Sequence, residues 1–588
     1  MHRKQANPMF KSVSHVLRQY LLIAVLAAFF LFQVIKSIKL SILDFDGHHD
    51  AYVVASAIGV SEGRVLYRDI FWQYGPLQPY FLAGLIKALP FLSALTVARL
   101  AGLALILLTF LVVLIQPSFN KKHLREVLVV KLIILILFFG MQDSYYGVPF
   151  LFWPNHLLIL FVALSLNQLI KQIQKPGDNT KLSFVLQGLY LALITLSRPQ
   201  FLLIILLLLV LITIHFQSND KTSRLKHLLS GFSLPLLIVC IYMTRYHVLR
   251  DFFEQTFSWP RDAYDSQLIH NFKQILGELV KSNLVLVILV AVLMADFFLN
   301  FFGRIWREIF IYLLVSYCAF KIFFGTFVIW TAANVYPARI SIVFLEITIF
   351  AMTLLGGLYV LSSFLLGLFR RKTNHSTTLL HLTVIGMAAL SVTQAFPVFD
   401  TRHTNWAILG LAPLPIALLS GVVRRHLNIF ITFCLVLIFC MFLETQRTSS
   451  SYEMLERVRG EEGFVDGGVW TLVPNDSMST STRRSTSLNT EFQFLSSVLS
   501  HDEQAIFLSE DAAFSIFDGT WRSKDKWFVS WGPVPVLSTR LRDEKYPPIV
   551  LDELTVSNFD RGQLYASGYE LTHQMGRLSI FRMVASEN

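Results

Sequence analysis

The chain is short of charge. Only 15% of its 588 residues are Asp, Glu, Lys or Arg, where a soluble domain carries roughly 25%, and that shortage excludes a soluble enzyme. Cysteine is scarce too. The four present, Cys240, Cys318, Cys434 and Cys440, all lie in or beside apolar runs, which excludes a disulfide framework and a cysteine-based metal centre. No Gly-rich phosphate loop occurs, and the scattered histidines lack a His-Glu-x-x-His spacing, so neither a P-loop nucleotide site nor a zinc hydrolase of that kind is expected. Acidic residues are outnumbered 39 to 50 by basic ones, for a net charge of +11. The Lys and Arg fall in short clusters between apolar runs, which is a membrane-topology signal and excludes nucleic acid as a partner.

What is abundant is hydrocarbon. Hydrophobic residues make up 54% of the chain, 51 of them Phe, and the mean hydropathy is +0.56. Leu-rich runs reach the roughly 20 residues needed to cross a bilayer. Thirteen such runs are expected to span: 19–43, 94–116, 126–140, 149–170, 182–197, 200–217, 229–243, 281–301, 309–325, 338–369, 377–393, 406–423 and 427–443. The first follows a basic N-terminus, lacks a small-residue cleavage site and reads as a retained helix, not a signal peptide.

One further run, 76–92, holds three prolines and Lys87. If it does not cross, the basic clusters, among them Lys121/Lys122/Arg125, Arg370/Arg371/Lys372 and Arg424/Arg425, all face the cytoplasm. If it does, the N-terminal cluster parts from the rest, against the positive-inside bias. Residues 44–92 are therefore expected outside as a long first loop with juxtamembrane helices. The expected fold class is a polytopic α-helical membrane protein with two parts: a transmembrane domain over 1–443 and an extracytoplasmic α/β domain over 444–588, where most of the Asp and Glu and several short strand-like runs collect.

The expected outer loops hold the residues with chemical potential. The first opens DFDGHHDAY, placing Asp44, Asp46, His48, His49 and Asp50 together. Carboxylates and imidazoles so close can bind a hard divalent cation such as Mg or Mn, or hold a general base; equally, they can form a solvated cap on a juxtamembrane helix starting near Asp50. Asp143 follows the third crossing, Arg198 lies between the fifth and sixth, and Asp400, Arg402 and His403 between the eleventh and twelfth. Glu346 is the one carboxylate well inside an apolar run, which makes it a functional candidate by position.

On these residues the sequence resembles the GT-C superfamily of membrane glycosyltransferases, which use polyprenyl-phosphate-linked sugars and include oligosaccharyltransferases, protein mannosyltransferases and aminoarabinose transferases. The likeness is carried by DFDGHHDAY after the first helix, by YRDIFWQYGPL and its Pro-bearing stretch, by Asp143 in the second outer loop, and by a soluble part ending the chain outside. It implies that Asp50, with Tyr52 two residues on and Gly63 thirteen on, is the catalytic carboxylate, as base or as metal ligand, and that Asp44 or Asp46 supplies a second. Many members carry an Asp-Glu pair; here the neighbour of Asp50 is His49. The metal set implied is Asp44, Asp46, Asp143 and His49.

A single displacement at an anomeric carbon needs a base for the acceptor and cations for the departing lipid phosphate. Asp50 meets the first need. Arg198, with Arg339, Arg402 or His403, meets the second, and Asp400, Trp72 and Tyr74 complete the expected substrate-binding set, with Phe71 beside them. The partners expected are a polyprenyl-phosphate sugar, membrane lipid and an acceptor that the sequence does not identify, in a bacterial inner membrane. Two rivals stand beside this reading. A transporter or lipid-linked glycan flippase would concentrate polar residues along the midplane, and a glycan ligase or polymerase would use a diphosphate-linked donor.

Overall fold

The computed structural model describes residues 49–115, 152–174, 180–215, 221–258 and 561–584, most of 20–35 and 490–499, a few residues within 128–135, and the short stretches 470–472, 479–481, 506–508 and 548–552. Among the described residues of 49–258 lie the helices α1 (His49–Ser61), α2 (Leu77–Ala88), α3 (Ala94–Leu114), α4 (Pro154–Gln174), α5 (Lys181–Ser197), α6 (Leu202–His215), α7 (Lys221–Arg245) and α8 (Leu249–Phe253). A helical stretch, Ile23–Phe32, precedes them. The six crossings expected between 281 and 443 lie outside the described residues.

Local chemistry sets the helix limits. Ser93 caps α3 by accepting the Thr96 N–H at 3.1 Å, and Thr180 caps α5 through the Ser183 N–H at 3.3 Å, each satisfying an orphan donor of the first turn. Pro154 starts α4, where its missing N–H is no loss. Pro199 ends α5 by forcing Arg198 out of the helical region to φ −142 and ψ 84. The 12 residues of α2 extend about 18 Å, less than the roughly 30 Å of bilayer hydrocarbon. Among the described residues two helices are long and apolar enough to cross a membrane, Ala94–Leu114 and Arg224–Arg245.

The faces of α6 and α7 explain why this part of the chain needs lipid. Leu203 is 79% exposed, and Leu207, Val210, Leu234, Leu237, Ile238 and Ile241 are all exposed beside one another along the two helices. Water penalises such contiguous apolar surface, whereas acyl chains do not. The opposite faces carry the packing. Asn167 of α4 donates to the Val112 carbonyl of α3 at 2.8 Å, and Gln187 of α5 donates to Ser165 of α4 at 2.6 Å, so polar side chains as well as leucines tie neighbouring helices, as is common where hydrocarbon surrounds them.

Helices α5 and α7 cross at glycine. A Cβ on Gly188 would lie 2.0 Å from the Leu228 carbonyl oxygen, and one on Gly231 would lie 2.1 Å from that of Val185. Both obstructions are backbone, so the helices must part to admit a methyl group. Gly188→Ala is expected to destabilise the detergent-solubilised protein by about 1–3 kcal/mol, read as a fall in melting temperature. Gly84→Ala, where nothing lies within 4 Å, should be neutral or mildly stabilising, because alanine favours the helix. Equal melting of the two variants would refute the close crossing.

The C-terminal strands are β1 (Trp470–Leu472), β2 (Ser479–Ser481), β3 (Ile506–Leu508), β4 (Ile549–Asp552), β5 (Tyr569–Met575) and β6 (Leu578–Met583). β1 and β2 pair antiparallel, and the other four form one sheet in the order β3-β4-β6-β5, with β3 and β4 parallel and the rest antiparallel. Ile549, Val550, Ile580 and Phe581 bury its strands. A helical stretch within 490–498 is bound to this sheet by Arg577, whose Nε and Nη2 meet the two oxygens of Glu491 at 2.9 and 3.1 Å, and by Arg582, which donates to the Val498 carbonyl at 3.0 Å. A short helix, α9 (Arg561–Ala566), leads into β5.

Candidate active site

Four stretches far apart in sequence meet at one end of the helices: the turn 67–75, the start of α4, the junction of α5 and α6, and the segment after α7. The expected topology gives all four to the same side of the membrane. Gly75 makes one junction. Its N–H donates to the Ser197 carbonyl at 3.2 Å, and a Cβ there would stand 1.8 Å from the Leu196 carbonyl oxygen, so only glycine lets the loop lie against the end of α5.

Amides make the others. Gln255, in the π-helical turn Glu254–Ser258, accepts the Trp72 N–H at 2.9 Å and donates to the Tyr67 carbonyl at 2.6 Å. Gln200 donates to the carbonyls of Gln73 at 3.3 Å and Thr256 at 3.0 Å. Tyr67 holds a φ of 72, a left-handed conformation that a bulky residue keeps only where its surroundings impose it. Its hydroxyl donates to the Tyr74 carbonyl at 2.8 Å.

Arg198 is seated on this scaffold. Its guanidinium lies over the Tyr74 ring, 4.3 Å from the centroid, and its Nε donates to Asn155 Oδ1 at 2.6 Å. Two helix ends act on it. As the C-cap of α5 it sits at the negative end of one macrodipole, and through Asn155 it reaches the first turn of α4. Burial pushes the Tyr74 phenol above its ordinary value, with the nearby Arg198 charge pulling the other way. The ring beneath the guanidinium is therefore neutral, and its hydroxyl accepts from Gln73 Nε2 at 3.0 Å.

An aromatic cluster links this seat to the first loop. Tyr52 stacks on Trp72 with centroids 4.8 Å apart and planes at 17°. Tyr74 meets both Trp72 and Trp153 edge-on at 5.4 Å. The Tyr52 hydroxyl accepts the Gln73 N–H at 3.2 Å. Asp50 and His49 occupy the first turn of α1, and Tyr52, two residues after Asp50, belongs to the cluster that carries Arg198. The helix bearing the expected base thus starts beside the seat of the expected phosphate cation.

Trp72 is 0% exposed, with its indole N–H donating to the Gly75 carbonyl at 2.9 Å. Tyr52 and Tyr74 cover it, so its ring shapes the loop in this structure. Phe71 is also buried. Asp44, Asp46, Asp143, Arg339, Glu346, Asp400, Arg402 and His403 lie outside the described residues. Among the described residues no three His, Cys, Asp or Glu side chains gather as a metal site would require. Sequence reasoning passed over Asn155, Gln200 and Gln255, neutral amides with no spacing signal, and Trp153, one aromatic among many.

The chain is similar to ArnT from Cupriavidus metallidurans in its apo state. Identity is 12%, over 98% of this chain and 99% of that one, with a TM-score of 0.39. It is also similar to the Archaeoglobus fulgidus oligosaccharyltransferase solved with Zn and sulfate, at 13% identity over 92% of this chain and 69% of that one, TM-score 0.40. A third likeness is to the archaeal oligosaccharyltransferase AglB from Archaeoglobus fulgidus, solved with an inhibitory peptide and a dolichol-phosphate: 12% identity, 94% and 74% coverage, TM-score 0.37. No family model and no curated protein matches the chain.

Proposed function

We propose that this chain is an integral-membrane glycosyltransferase of the GT-C type, moving a sugar from a polyprenyl-phosphate donor to a lipid, glycan or protein acceptor at the extracytoplasmic face of a bacterial inner membrane, with inversion. The observation that carries the reading is the single aromatic cluster joining the start of α1, with Asp50 in its first turn, to the Arg198 guanidinium held over Tyr74. A helix start bearing a carboxylate, tied through aromatic rings to a cation, supports this reading because the transfer needs both groups.

In the reaction the acceptor oxygen or nitrogen attacks the anomeric carbon. Asp50 takes the acceptor's proton as the new bond forms. The bond from that carbon to the phosphate oxygen breaks, and the polyprenyl phosphate leaves with its added negative charge held by Arg198, with Arg339, Arg402 or His403 in support. Asp400 orients the substrate. Asp44, Asp46, Asp143 and His49 are the residues that would hold a divalent cation; oxygen-rich ligands suit Mg or Mn, which would add charge stabilisation at the phosphate. The 444–588 segment lies on the same outer side.

The test is transfer from a panel of radiolabelled polyprenyl-phosphate sugars into membranes containing the full chain, with and without chelator. Label should pass to an acceptor as free polyprenyl phosphate accumulates. Transfer from a diphosphate-linked donor alone would assign the chain to the ligases instead, and movement of intact lipid-linked sugar across the bilayer without bond cleavage would make it a flippase.

A further inference from the structure

Asn155 stands at the second position of α4, fully enclosed at 0% exposure. Its carbonyl oxygen is committed to Arg198 Nε at 2.6 Å. Its amide nitrogen has no hydrogen-bond partner among the described residues. A buried donor left unmade forfeits its hydration with nothing in return, and native structures rarely retain one without a water, ion or ligand to meet it. The missing partner must be an acceptor, because the group is an –NH₂. Its setting gives the acceptor's charge: the amide lies at the positive end of a 21-residue helix and against a permanently charged guanidinium. Three features that each favour an anion converge on one donor.

We propose that Asn155 is a phosphate-binding residue, its Oδ1 aiming the Arg198 guanidinium while its Nδ2 hydrogen-bonds the same phosphate group. This rests on the donor reading given above and names the residue that completes its phosphate subsite. The division of labour follows from the side chain. An amide can accept from a guanidinium and donate to a phosphate at once, whereas a carboxylate can only accept. Asparagine is thus suited to the position in a way that aspartate, which would pair more strongly with Arg198, is not.

Affinity for a short-chain polyprenyl phosphate, read from ligand-induced stabilisation of the detergent-solubilised chain, separates the outcomes. Asn155→Asp keeps the acceptor for Arg198 but loses the donor and sets a negative charge against the phosphate. Its affinity should fall roughly tenfold to a hundredfold, the equivalent of one charge-assisted hydrogen bond. Asn155→Leu should lose at least as much. Wild-type affinity in Asn155→Asp, with loss only in Asn155→Leu, would mean that Asn155 acts solely by orienting Arg198 and would overturn the proposal. So would wild-type affinity in both, which leaves the amide nitrogen to a water.

If Asn155→Asp does not yield monodisperse protein, Asn155→Ser replaces it, with a fall of several-fold expected and unchanged affinity counting against the proposal. Arg198→Ala distinguishes the two levels of inference: wild-type affinity there would remove the donor-phosphate reading itself, whereas loss there with wild-type affinity in Asn155→Asp would remove only the role of Asn155. Inorganic phosphate should stabilise the wild-type chain far less than the lipid phosphate does. Equal stabilisation by both would assign the site to free phosphate and overturn the lipid assignment.

Discussion

Replacing Asp50 by Asn is expected to lower sugar transfer by about 10² to 10⁴, the loss typical of removing a general base, while the protein still folds. The expectation of intact folding has a structural basis. Asp50 lies in the first turn of α1, and asparagine serves helix starts about as well as aspartate, so the amide preserves the start of the helix and removes only the capacity to take a proton. The packing that positions α1 is made farther along, where Tyr52 stacks on Trp72 and Val53, Val54 and Ala57 are buried. Initial rates in nanodiscs, alongside size-exclusion profiles and melting temperatures, decide the matter. Asp44→Asn and Asp46→Asn should show smaller losses as supporting residues. Normal transfer by Asp50→Asn with inactive Asp44→Asn or Asp46→Asn would move the base to that residue and leave the reaction class standing; normal transfer by all three variants would reduce the acidic stretch to a solvated helix cap.

The helices were legible where hydropathy and punctuation agree. The runs 94–116 and 182–197 coincide with α3 (Ala94–Leu114) and α5 (Lys181–Ser197), because Ser93 and Thr180 cap their starts and Pro199 stops the second; of the two, α3 is long and apolar enough to cross a membrane. The seventh expected run, 229–243, covers only part of α7, which begins at Lys221. A hydropathy window ends where Arg224 and Lys226 begin, but long basic side chains can reach the headgroup region and let a helix continue. At 149–170 the window began too early, since α4 starts at Pro154, the residue best suited to a first helical position.

Of the candidate site, the sequence singles out the charges and, among the groups around Arg198, Tyr74 and Trp72. Arg198 announces itself as an arginine before a proline between two apolar runs. The amides that seat it do not. Gln255 bonds Trp72 from 183 positions away, and nothing about a glutamine in a polar turn indicates that its amide will bridge two backbone groups of the first loop. Asn155 next to a proline reads as ordinary helix-start chemistry. Trp72 shows a second kind of gap: an aromatic in the candidate loop suggests a platform for a sugar ring, and the structure shows it enclosed by Tyr52 and Tyr74. Neutral amides and aromatic rings acquire their roles from tertiary neighbours, so periodicity and spacing cannot assign them.

Arg198→Ala is expected to weaken donor use by about tenfold to two-hundredfold, from the loss of one charge-assisted hydrogen bond to phosphate worth about 1.5–3 kcal/mol. The effect should fall on both KM for the donor and kcat, because the leaving group gains charge as the bond breaks and the guanidinium then holds it more tightly than in the ground state. Arg198→Lys should recover part of the loss. An ammonium keeps the charge but has neither the planar fork nor the flat face that lies over Tyr74, so its phosphate is held less firmly. Truncation also strands Asn155 Oδ1 in a buried setting, and a stability loss of about 1–3 kcal/mol is expected beside the catalytic one. Melting temperature and donor kinetics measured on the same preparation separate the two, since a purely structural arginine would lower stability and leave donor KM unchanged. That result would return Arg198 to the part of an interfacial cation with its charge in the headgroups.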